Sequence, residues 1–71
     1  DKAAEKYRQM IEFDPTSYPE AYFNLALLAA QEHSPIIAIF RMKQYLLLVP
    51  DSQDARSAQD KIYEWELLIQ K

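Results

Sequence analysis

"SPIIAIFRMKQYLLLVP", Ser34 to Pro50, opens on a helix-start signal and closes on a proline, with more apolar residues between them than one buried helix face needs. A surface helix normally carries one apolar stripe and leaves the remainder polar. Residues 3–15, "AAEKYRQMIEFDP", can be laid over residues 38–50, "AIFRMKQYLLLVP". Ala3 then falls on Ala38, Gln9 on Gln44, Ile11 on Leu46, Phe13 on Leu48 and Pro15 on Pro50. Lys6 and Arg8 fall on Arg41 and Lys43. The first and third helical segments are two copies of one element, separated by a second. That order implies an all-α fold, an antiparallel helical-hairpin stack of about four helices in a single domain spanning 1–71.

Prolines and short polar breaks punctuate the stack. The first segment, Lys2 to Phe13, carries Ala3, Tyr7, Met10 and Ile11 at helical spacing, and Pro15 forces Asp14 out of helical geometry. Ser17 and Glu20 have capping-box spacing, with Pro19 tolerated in the first turn. A second helix follows to about Gln31, on Tyr22, Leu25, Ala26, Leu28 and Ala29. Ser34 and Pro35 start the third, which runs to about Leu48 and buries Ala38, Ile39, Met42, Tyr45, Leu46 and Val49. Asp51 or Ser52 is expected to cap the fourth, striped with Ala55, Ala58, Ile62, Trp65 and Ile69. Breaks this short make sequential helices antiparallel neighbours.

In this punctuation the residues resemble a tetratricopeptide repeat, a helix-turn-helix unit of about 34 residues. In a full unit at 19–50, Tyr22 stands at the bulky aromatic position, and Leu25 with Ala26 matches the Leu-small pair that lets two helices approach. Ala38 matches the small residue facing them and Pro50 the closing proline. The half unit at 1–14 matches through Ala3, Tyr7 and the Asp14-Pro15 terminator. Met42 replaces a usual aromatic, Tyr45 a usually small residue, and Ala29 a common Tyr, which suggests a volume-conserving swap across one hairpin. His33 holds a turn position where Gly is common, so mild left-handed strain is expected there. The segment 51–71 departs from the pattern, with Gln59 and Asp60 at the Leu-small positions, and reads as a terminal capping helix. The chain starts on the second helix of a repeat and lacks an initiating Met, so further repeats are expected upstream in a longer parent.

The resemblance implies protein–protein interaction, with a protein or peptide partner on the concave face lined by the first helix of each hairpin. Carried over, that groove is Glu20, Phe23, Leu27, Ala30 and Gln31, with Lys61, Glu64 and Trp65 from the last helix. Leu27 occupies the place of an asparagine that some relatives use to clamp a terminal carboxylate, which argues against that specialisation. Phe23 and Leu27, one turn apart, suit an apolar or helical peptide. The competing reading folds Trp65 and its helix over them as core.

A second apolar stripe lies on the third helix. Ile36, Phe40 and Leu47 recur at i, i+4 and i+11, with Ile37 beside them. The earlier copy has Asp1 for Ile36, Lys2 for Ile37, Glu5 for Phe40 and Glu12 for Leu47, so the repeat itself does not need apolar residues there. Exposing such side chains forgoes about 1.5–3 kcal/mol each. The alternatives are cover by the fourth helix or a neighbour, contact with a partner, and a homo-oligomer joined through this stripe.

Composition narrows the function classes. A chain of 71 residues buries only roughly 60% of its unfolded surface, a thin margin of stability. There is no Cys for a disulfide or thiolate metal site and no Gly for a phosphate-cradling loop. No metal or other cofactor is expected. Net charge −3 argues against nucleic acid, and no apolar run nears the ~20 residues of a membrane span. The missing Cys suits a soluble protein of a reducing cytoplasm rather than a periplasm, though the location stays open. His33 is a lone turn histidine without a nearby nucleophile or metal-spaced ligands. Glu64 with Glu66, or Asp51 with Asp54, lie along amphipathic helix faces or at a helix start, not in a cleft that would push two pKa values apart. The sequence therefore reads as a non-enzymatic binding module.

Overall fold

Pro15 and Pro50 lie just beyond the ends of two helices, and Pro19 and Pro35 open two. A computed structural model describes residues 2–70; Asp1 and Lys71, the outer ends of the two flanking segments, lie outside the described residues. Four helices follow one another: α1 (Lys2–Phe13), α2 (Pro19–Gln31), α3 (Pro35–Leu48) and α4 (Ala55–Ile69). Among the described residues there is no strand. Each helix packs on its neighbour in sequence, with α2 against α3 the most extensive pair. The stack is a flat slab of 38 × 29 × 14 Å.

The core is one apolar cluster. Ala21, Ala26, Ala38, Met42 and Ala58 are fully enclosed, alongside buried Tyr22, Leu25, Ile39, Tyr45, Ile62 and Trp65. Small residues on α2 and α3 let the two helices approach, and Met42 and Ile62 supply bulk. Leu28, Leu46 and Val49 are half-buried against this cluster. On α1 the buried residues are Ala4 and Ile11, whereas Ala3 is exposed, contrary to the pattern read from its copy Ala38. The copies have different surroundings: α3 lies between α2 and α4, while α1 packs chiefly on α2. Only the side of α1 facing α2 is covered, and Ala3 is turned about 100° from Ala4. Ala55 is half-buried and Ile69 exposed, so the α4 stripe thins towards both ends.

Tyrosine hydroxyls fasten two loops to the helices. Tyr22 donates its hydroxyl to the Pro15 carbonyl at 2.7 Å, holding the α1–α2 loop. Tyr45 shares a 2.8 Å hydrogen bond with the Ser52 hydroxyl in the α3–α4 loop. That bond engages Ser52, and α4 begins later than expected, with Asp54 preceding Ala55 and no side-chain cap bond. The Ser17–Glu20 capping box is likewise not formed. Ser17 donates instead to the Asp14 carboxylate at 2.6 Å, and α2 starts on Pro19 after Tyr18 without a side-chain cap. Ser34 does hold the cap position of α3, again without a side-chain bond. A short polar side chain that finds a partner within its own turn has nothing left for the helix start.

The α2–α3 turn closes α2 with a Schellman arrangement. Ser34 N–H reaches the Ala29 carbonyl at 2.9 Å and His33 N–H the Ala30 carbonyl at 3.1 Å. His33 carries the left-handed backbone this requires, φ 60°, as its place at a usual glycine position implied. Ala29 lies beside this turn, whereas Tyr45 sits about 15 Å further along α3. Tyr45 faces Phe23 and not Ala29, so the volume swap that the resemblance suggested is not formed.

Two outcomes are expected. His33→Gly removes the side-chain penalty of left-handed backbone, offset in part by a freer unfolded chain, and should add about 1 kcal/mol, or roughly 4–8 °C in Tm, in a thermal melt. The Asp14 carboxyl is held below its ordinary pKa, chiefly by the Ser17 hydroxyl and next by the Thr16 N–H. A depressed folded pKa stabilises the turn at neutral pH, and that contribution is lost as pH falls through the carboxyl's titration. In a carboxyl-carbon NMR titration, Ser17→Ala should move the Asp14 midpoint back up towards the ordinary value.

Candidate functional site

The two apolar surfaces singled out in the sequence lie on different parts of the slab. On α2, Phe23, Leu27 and Ala30 form one half-buried line, flanked by exposed Glu20 and Gln31. Phe23 stands edge-on to Tyr45, with ring centroids 5.0 Å apart at 76°. Its ring is therefore partly committed to the core, where such a pair contributes about 0.5–1.5 kcal/mol beyond burial. On α4, Lys61 is half-buried, Glu64 is exposed, and Trp65 is only 7% exposed.

Ala30 and Trp65 meet at an apolar cleft of about 140 Å³, lined also by His33, Pro35 and Leu68. The Schellman turn positions two of its walls, His33 and Pro35, and successive turns of α4 present Trp65 and Leu68. Phe23 and Leu27 are not part of this lining. Leu68 was passed over in the sequence, although it lies three residues beyond Trp65 and so shares its helix face. The contribution of His33 and Pro35 depends on the path of the turn, which helical periodicity does not report.

The α3 stripe is exposed along its length. Ile36 is 68%, Ile37 54%, Phe40 57% and Leu47 82% accessible, so α4 does not cover it. Lys43 belongs to the same line. Spacings of four, three and four residues from Ile36 through Phe40 and Lys43 to Leu47 reproduce the seam of a heptad repeat. Lys43 reaches Glu66 of α4 at 4.0 Å, an exposed pair of little energetic weight. The Arg41 guanidinium lies 5.8 Å from the centre of the Phe40 ring. Ile37 sits to one side, where with Arg41, Ala4 and Arg8 it borders a separate cleft of about 130 Å³ between α1 and α3. Sequence reading missed Lys43 because a charge interrupts an otherwise apolar line.

Among the described residues no polar or charged residue is buried, and no buried side-chain polar atom lacks a hydrogen-bond partner. No group of three or more His, Cys, Asp or Glu among them could hold a metal ion. Among the described residues no helix is long and apolar enough to cross a membrane. Both surfaces are suited to burying apolar side chains. No family model, curated protein or solved structure matches the chain.

The double commitment of Phe23 is measurable by urea denaturation. Phe23→Leu, which keeps apolar bulk but loses the ring pair, should cost about 0.5–1.5 kcal/mol. Phe23→Ala should cost about 1–3 kcal/mol, below the full penalty of a buried ring because one side of Phe23 is open.

Proposed function

We propose that this chain is a tetratricopeptide-like helical-hairpin module that binds a protein partner, a peptide or helix, on its inner face and carries out no chemistry of its own. The observation that carries the reading is the open apolar cleft between Ala30, Pro35, Trp65 and Leu68. Its volume of about 140 Å³ is close to that of cavities that hold one benzene-sized group, so it fits a single Leu- or Phe-sized anchor. Burying such an anchor contributes about 1.5–3 kcal/mol, and the half-buried Leu27 and Phe23 line extends the apolar strip along α2. The net charge of −3 and scattered cations favour a protein over a nucleic acid as partner.

Trp65 is the only tryptophan in the chain, which makes it a reporter of cleft occupancy. Amphipathic helical peptides selected by display against the chain should change Trp65 emission on titration. Leu68→Lys, at an exposed wall of the cleft, should weaken that binding at least tenfold, with helicity unchanged by circular dichroism. Selected peptides that leave the emission unchanged, or that bind the Leu68→Lys variant equally well, would overturn the inner-face reading.

A further inference from the structure

We propose that the exposed seam of α3 is an interface between two copies of this chain, packed antiparallel about a two-fold axis that passes between Arg41 and Met42. The seam Ile36, Phe40, Lys43, Leu47 is self-complementary when reversed. Turning a second copy end over end places Ile36 against Leu47 of that copy, and Phe40 against its Lys43. These are the facing layers of an antiparallel helix pair built on a heptad seam. The apolar ends close on each other, while each Lys43 lays its aliphatic stem along a phenyl ring that already carries its own chain's Arg41 guanidinium at 5.8 Å, so stem-to-ring packing and not the ammonium charge makes the contact.

Charge selects this orientation. A parallel pair would oppose Lys43 to Lys43 in the middle of the seam, and the antiparallel pair replaces that repulsion with two equivalent Lys43–Phe40 contacts. A two-fold arrangement also closes on itself, so it yields a dimer and not a filament. The exposures of 57–82% at Ile36, Phe40 and Leu47 leave the seam accessible along its length. Lys43 is half-exposed, and its 4.0 Å pair with Glu66 is loose enough to exchange for the ring. Four seam residues with Ile37 and Gln44 beside them fall short of the roughly 20–30 residues per side in a standard interface. The dimer is therefore a weak one, with a dissociation constant on the order of 10 µM to 1 mM.

The chain contains no cysteine, so crosslinking can read the register directly. Ile36→Cys and Leu47→Cys variants, mixed and oxidised at high concentration, should give a covalent mixed dimer. Neither variant alone should crosslink to itself, because its two sulfurs would lie about 16 Å apart, beyond disulfide reach. Sedimentation should show concentration-dependent dimerisation of the unmodified chain, weakened at least tenfold by Phe40→Lys. It should be restored by Phe40→Lys combined with Lys43→Glu, which supplies an opposite charge in each facing layer. A chain that stays monomeric at 1 mM would overturn the proposal, and so would self-crosslinking of each single variant as efficient as in the mixture. A Phe40→Lys chain that dimerises as strongly as the unmodified one would overturn it too.

Discussion

The approach of α2 to α3 is the contact on which the rest of the structure depends. Ala26 on α2 and Ala38 on α3 have no accessible surface, and Met42 is enclosed between the hairpins they help to form. Small side chains allow the two backbones to come close, while Met42, Tyr22 and Tyr45 provide the apolar volume. In a chain of 71 residues this junction carries much of the available burial, because α1 packs chiefly on α2 and α4 on α3. Both apolar surfaces inherit their placement from it. The side of α2 turned partly outward presents Phe23 and Leu27, and the side of α3 turned away presents Ile36, Phe40 and Leu47.

Those surfaces differ in physical character. Along α2 the apolar side chains are half-buried and partly used, as the Phe23–Tyr45 ring pair shows. A ligand there gains only the area the core leaves open, so the cleft beside Trp65 matters more than the length of the strip. Along α3 the side chains are 54–82% exposed, so more than half of the area of each is available to a contact. The cleft beside Trp65 has room for about one apolar side chain, whereas the α3 seam is a narrow exposed line.

The helices were legible in the sequence because proline and short polar breaks act through local backbone sterics. Tyr22, Leu25, Ala26, Ala38, Met42 and Trp65 followed from periodicity, which reports burial where a helix has neighbours on both sides. Ala3 escaped that logic: its periodicity matches Ala38, but α1 and α3 do not have equivalent surroundings. The caps were misread for a different reason. Ser17 and Ser52 have the right chemistry to cap a helix, yet Asp14 and Tyr45 compete for their hydroxyls, and sequence spacing does not rank competing acceptors. The outer stripe was visible by comparing the chain with itself, whereas the cleft required the path of the His33 turn.

The two tyrosine hydroxyls also bear on how the slab deforms. Tyr22 fixes the loop entering α2 and Tyr45 the loop leaving α3, each across a span of seven residues. With φ 60° at His33 and no glycine in the chain, the intervening turn has little torsional freedom either. Hinging at the connections is therefore disfavoured at all three joints. Bending strain applied to the stack is directed into the helix-to-helix packing, where alanine-lined contacts can slide by fractions of an ångström without uncovering a polar group. The module then behaves less like jointed rods than like a leaf spring, its curvature set by the sum of small shears between layers.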